Sequence, residues 1–239
     1  MAEDVGSGQD GSELPPLDDG LVASVAARLD AAKIHYVLWG LYMLTIFGIP
    51  TIVNGIDVVV DDNFIDAAYA TLEGAGFMKC NSEDCISNKD LPYAPTPHTH
   101  LHITESERLG FFKRSDVLWR LSDLSNVDGE SIILASDPSQ LPGRDIVGNR
   151  RRFPQDLYPV RIPAVTQLVQ SLLLLAKKDR NTYGEYWVNW VIYILEYCTE
   201  NGVFEKSRLT GNYKTYIDAF LEGDHSLKDQ AFEHIGVTE

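Results

Sequence analysis

The stretch from His35 to Asp62 constrains the fold more than any other part of the chain. It opens with an apolar run, His35-Tyr-Val-Leu-Trp39, that reads as a buried strand. Gly40 then lets the backbone turn sharply. Leu41 to Phe47 has room for about two helical turns, and Gly48, Pro50 and Thr51 make a loop. Ile56 to Val60 is a second strand, β-branched and aliphatic. It holds one acidic residue, Asp57. A carboxylate inside such a strand is costly to bury without a partner or a metal, which makes Asp57 the first functional candidate.

Trp39 to Asp62 resembles the core motif of the nucleotidyltransferase superfamily, the group that includes minimal, aminoglycoside-modifying and antitoxin-type members. The family pattern is a strand, a Gly-Gly or Gly-Ser pair opening a short helix, and Asp-x-Asp on the next strand. The resemblance implies aspartates that hold Mg²⁺ over a nucleoside triphosphate, and glycines that let backbone amides approach its phosphates. Gly40 matches the first glycine and Asp57 the second aspartate. Leu41 stands where the second small residue belongs, and Gly55 where the first aspartate belongs. Two-metal transfer needs several anionic oxygens around the ions. Asn54 is a neutral acceptor one position off, hence on the opposite face of the strand. The motif is therefore degenerate, and it supports the fold better than the activity.

Composition narrows the class. A chain of 239 residues, 44% of them hydrophobic, can bury a sizeable core. A net charge of −15 argues against general nucleic-acid binding and against an anionic membrane surface. The cysteines are Cys80, Cys85 and Cys198, read here as lacking the paired spacing of a zinc site; their small odd number fits a reducing compartment. The longest apolar run, Leu168 to Ala176, is too short to span a bilayer, and no signal pattern opens the chain. The expectation is a soluble, intracellular (cytoplasmic) protein.

Residues 1–17, acidic and rich in Gly, Ser and Pro, read as a disordered tail. Asp18 or Asp19 caps a helix from Gly20 to Lys33. After the core motif, Asn63 caps a helix from Phe64 to Glu73, and Phe77 to Cys80 is a short strand. Glu105 to Gly110 reads as a turn, and Ser131–Ala135 and Val160–Ile162 as short strands. This order gives an α/β (α+β) sandwich, a mixed sheet flanked by helices, over residues 18–162. A helical part follows over 163–222. Pro163 suits a first helical position, a broadly apolar helix runs from Ala164 to Lys178, and further helices cover Glu185–Glu200 and Tyr213–Leu221. Residues 223–239 read as a frayed tail.

Several residues outside the core motif carry chemistry. His98-Thr-His-Leu-His102 alternates, so its histidines share one strand face. The sharp reading is a site for Zn, Cu, Ni or Fe. Against it, same-face neighbours lie about 6.5–7 Å apart, so all three rarely bind one ion; the plainer reading is a half-exposed strand whose histidines meet solvent or neighbouring backbone. His100 or His102 would take the sheet position of the family's third acidic residue. Asp116 is an alternative third carboxylate, or a helix cap shared with Ser115. Asp116 lies in Ser-Asp-Val-Leu-Trp, a stretch that with the His-x-His strand resembles a group of fungal nucleotidyltransferase-like proteins. Arg144, Arg150, Arg151 and Arg152 make the most basic point of the chain, fit to clamp a phosphate or to pair with the chain's own carboxylates. Lys177, Lys178 and Arg180 match a family helix whose end supplies charge towards the phosphates, or simply complete a helix dipole.

Three functions fit these residues. One is a degenerate nucleotidyltransferase fold that binds a nucleotide or similar anionic ligand, with Gly40, Asp57, Lys177 and Arg150 at the cleft. The second is an active Mg²⁺-dependent transferase, with Asp57 as metal ligand and His100, His102 or Asp116 replacing the missing carboxylate. The third is a repurposed fold whose polar site is His98, His100 and His102. Fold alone does not choose among them.

Overall fold

Four buried residues, Tyr36–Trp39, form β1, and Gly40 opens α2 (Gly40–Ile46) at φ +77°. β2 (Gly55–Val60) returns antiparallel to β1 and sets Asp57 opposite Trp39. The computed structural model describes residues 14–82, 85, 94–143, 151–200 and 202–236. The tail expected over residues 1–17 lies outside them as far as residue 13.

Before β1 runs α1 (Asp19–Ala31), capped as the sequence predicts: the Asp18 carboxylate accepts from Leu21 N at 2.9 Å. A 3₁₀ turn over Asp62–Phe64 leads from β2 into α3 (Ile65–Glu73), which has no side-chain cap. β3 (Met78–Lys79), β4 (Thr99–His102) and β5 (Arg108–Lys113) complete a five-stranded sheet of order β1-β2-β5-β4-β3. Only β2 and β5 pair in parallel, so the sheet is mixed. α3 packs on β4 and β5, with Tyr69 against Phe111 at 6.1 Å between ring centroids.

β5 corrects the expectation of a turn over Glu105–Gly110. The turn is shorter: Ile103 N donates to Glu107 O at 2.8 Å, and Arg108 already pairs with Gly55 and His102. Gly110 reads as a breaker in sequence, yet it sits mid-strand for a steric reason that the site makes plain.

A four-residue helix, α4 (Arg114–Val117), follows β5. β6 (Ile132–Leu134) and β7 (Arg161–Pro163) form a separate antiparallel pair beside β1. Arg161 anchors that pair, holding Asp30 at 2.8 Å and lying over the Tyr36 ring at 5.2 Å. Pro163 ends β7 instead of starting a helix; a two-stranded sheet is all edge, where a missing N–H is tolerated.

The helical part is α5 (Val165–Lys178), α6 (Gly184–Tyr193) running into a π-helical turn over Ile194–Cys198, α7 (Gly211–Glu222) and α8 (His225–His234). Its attachment to the sheet is aromatic. Trp39 meets Trp190 at 5.7 Å and Trp187 at 6.2 Å between centroids, and all three are buried. These rings lay α6 over the Asp57 face. α8 replaces the expected frayed tail: it packs against α7 and α5.

Candidate functional site

Sheet register assembles the site. Trp39, Asp57, Gly110 and His100 stand in one row across β1, β2, β5 and β4. Residues opposite one another share a face, as do residues two apart on a strand. Arg108 and His102, themselves paired, therefore join Asp57 and His100 on the face that α6 covers.

Two glycines make room for the Asp57 carboxylate. A Cβ on Gly40 would lie 2.5 Å from its Oδ2, and one on Gly110 would lie 2.2 Å from its Oδ1. Arg108 supplies the countercharge. Its Nε lies 3.4 Å from Oδ1 and its Nη2 donates to Oδ2 at 3.4 Å. Tyr186 of α6 is close enough that burial, reinforced by the Asp57 charge, pushes its phenol far above the ordinary range.

The position where the motif resemblance would put a first aspartate is closed. A Cβ on Gly55 would lie 2.1 Å from the backbone oxygen of Arg108, so a side chain there requires β5 to move. The strands themselves offer one carboxylate at this point, Asp57, with the Arg108 guanidinium beside it, and that pairing does not match the two strand aspartates of a two-carboxylate Mg²⁺ centre.

A cavity of about 710 Å³ opens at this point. Asp57, Arg108, Asn54, Tyr186, Glu105 and Glu107 line it together with Ser82, Cys85 and His102.

The histidines separate. His100 and His102 lie with ring centroids 5.1 Å apart, whereas His98 precedes β4 and is exposed beside Ile65, Asp66 and Tyr69. Cys85 Sγ is 3.5 Å from His100 Nε2 and 3.7 Å from His102 Nε2, and Cys80 completes a group whose donor atoms all lie within 4.8 Å of one another. Burial, with His102 and Arg108 adding to it, holds the His100 imidazole down at about 4, so it is neutral. The reading of the cysteines as lacking zinc-site spacing is corrected here: four residues separate Cys80 from Cys85, within the range of structural zinc sites.

The other candidates lie elsewhere. Asp116 is exposed on α4, and its carbonyl accepts from Lys178 Nζ at 2.9 Å. The cap expected of Ser115 or Asp116 comes from Asp62, whose carboxylate accepts from Ser115 N at 3.1 Å and Ser115 Oγ at 2.6 Å. Lys177 donates to the carbonyls of Glu233 and Ile235 at 2.7 and 2.8 Å, closing α8. Arg150 lies outside the described residues, as does Arg144. Arg151 is buried, 6% exposed, against Gly48. Sequence reasoning missed Arg108 and Gly110. The only signal for them was an Arg-x-Gly inside a stretch read as a turn.

No family model and no curated protein matches the sequence. Two solved structures are similar to the chain. The antibiotic-resistance factor ANT(2'')-Ia is 12% identical, with a TM-score of 0.39 over 89% of this chain and 95% of that one. An antigenic nucleotidyltransferase-like protein from Paracoccidioides brasiliensis is 9% identical, with a TM-score of 0.41 over 89% of this chain and 90% of that one. Among the described residues no helix is long and apolar enough to cross a membrane.

Proposed function

We propose that the chain binds a small ligand of the nucleotide class in the cavity beside Asp57 and does not transfer its nucleotidyl group. The observation that carries this reading is the Asp57–Arg108 pair. Nucleotidyl transfer of the family type needs ions held by several carboxylates. Here a guanidinium stands beside the one strand carboxylate, and Gly55 leaves no space for a second. His100 and His102 are poor replacements: they lie two strands away, beyond Gly110, and converge with cysteines. Arg108 is the cation in the cavity wall able to meet a phosphate, in a fork suited to it. Tyr186 adds an aromatic ring to the same cavity lining.

The mechanism of binding is an exchange of partners. A phosphate competes with Asp57 for the Arg108 guanidinium, so the two anions oppose each other. Calorimetric titration of ATP, GTP, CTP and UTP without divalent cation tests this. Arg108→Ala should weaken binding about tenfold or more, the scale of one charge-assisted hydrogen bond. Asp57→Asn should strengthen it. Binding that needs both Mg²⁺ and Asp57, with pyrophosphate released, would overturn the reading in favour of an active transferase.

The charge of the lining favours a second reading. Asp57, Glu105 and Glu107 outnumber Arg108 in the cavity, a balance that suits a ligand bearing ammonium groups. Then no nucleotide binds, and Asp57→Asn weakens the binding of polyamines or amino sugars.

A further inference from the structure

We propose that Cys80, Cys85, His100 and His102 form a closed tetrahedral zinc site that ties the segment after β3 to β4. The sheet prepares it. Alternation puts His100 and His102 on one face of β4, with the rings tilted 79° so that their nitrogens converge on Cys85. β3 pairs antiparallel with β4, Met78 opposite His102 and Lys79 opposite Leu101. The next residue, Cys80, is thereby delivered to the level of His100. Cys85, whose N–H donates to Ser82 O at 3.2 Å, holds its Sγ 3.5 and 3.7 Å from the two imidazoles. Two ligands thus come from a short strand and two from a Cys-x₄-Cys pair that begins where its neighbour β3 ends.

The distances fit a metal. With Zn–S near 2.3 Å and Zn–N near 2.05 Å, a tetrahedral ion sets sulfur and nitrogen about 3.6 Å apart. The two sulfur–nitrogen separations at Cys85 are 3.5 and 3.7 Å. The donors select the ion: two thiolates and two imidazoles suit zinc, while Mg²⁺ prefers oxygen. The thiolates also balance a divalent charge, and no carboxylate belongs to the group. Four protein ligands leave no open position, the mark of a structural site. The site has a consequence for the cavity, since Ser82, Cys85 and His102 form part of its wall; the ion would hold that wall in place. The site stands whether or not the cavity takes a nucleotide.

Metal analysis of tag-free protein, purified without chelator, should find one zinc per chain. Cys80 and Cys85 should resist alkylation until a chelator removes the ion. Replacing zinc by Co²⁺ should produce thiolate-to-cobalt charge transfer and the intense ligand-field bands of a tetrahedral centre. Cys85→Ser and His102→Ala should each lose the ion; if either fails to fold, the cobalt spectrum of the wild type still decides. A protein that takes up no stoichiometric zinc on reconstitution would overturn the proposal. So would a Cys80–Cys85 disulfide in the purified chain, or a cobalt spectrum with no thiolate band.

Discussion

Asp57 keeps its place in an apolar strand because the residues above and beside it lack side chains. A methyl group on Gly110 would meet the Asp57 carboxylate at 2.2 Å and Pro97 at 3.2 Å. Gly110→Ala should therefore cost about 1–3 kcal/mol, the usual price of overpacking, read from urea denaturation. The double variant with Asp57→Gly should recover part of that loss, because the obstructing group is itself a side chain. Gly55→Asp should behave differently. Its neighbour is the Arg108 backbone, so no side-chain change relieves the clash, and the variant should be severely destabilised instead of gaining Mg²⁺-dependent nucleotide binding. Asp57 was legible in the sequence as a strand carboxylate that needs a partner. Its partner was not, because Arg108 comes 51 residues later and meets it only through strand pairing.

At the scale of elements, Lys177 ties α5 to α8 by donating to two carbonyls at the end of α8. Lys177→Met should raise amide exchange throughout α8 while leaving ligand affinity in the cavity unchanged. α8 escaped the sequence reading because His225–His234 is mostly polar, with Leu227 and Phe232 its large apolar side chains and Ala231 its one buried residue. β5 escaped because glycine is read as a breaker when its lack of a side chain is what the strand needs. β1, α2 and β2 were legible because runs of buried aliphatic residues bounded by glycines leave few alternatives. Entry to β6 depends on Asp128, whose carboxylate accepts from the backbone N–H of Ser131, Glu130 and Ile132 at 2.7, 2.9 and 3.3 Å. Those bonds, Ser131 foremost, hold its carboxyl below the usual carboxylate range. A depressed folded pKa stabilises above the unfolded value, near 3.9, and that contribution is lost as pH falls through the folded value. An NMR titration should place Asp128 below 3.9, and Asp128→Ala should flatten the acid limb of the stability curve.

Taken whole, the molecule sets two chemistries on one face of one sheet: a charged pair at the centre and a sulfur–nitrogen group towards the β3 edge. The arrangement was half visible in the sequence, since the core motif located the centre. The edge group was hidden because alternation lined up three histidines, whereas the fold keeps two of them and adds two cysteines from another strand's end. The parallel pairing of β2 with β5 has its own consequence. β2 acquires β1 as a neighbour at once, but its other edge closes only when Arg108–Lys113 arrives. On the ribosome that interval lasts roughly 3–10 s. Throughout it the nascent chain carries Ile56–Val60 as an unpaired aliphatic edge, the kind of surface that recruits other unfinished chains. A holdase that shelters the first 60 residues until β5 emerges would raise the yield of this protein more than one acting on the finished chain.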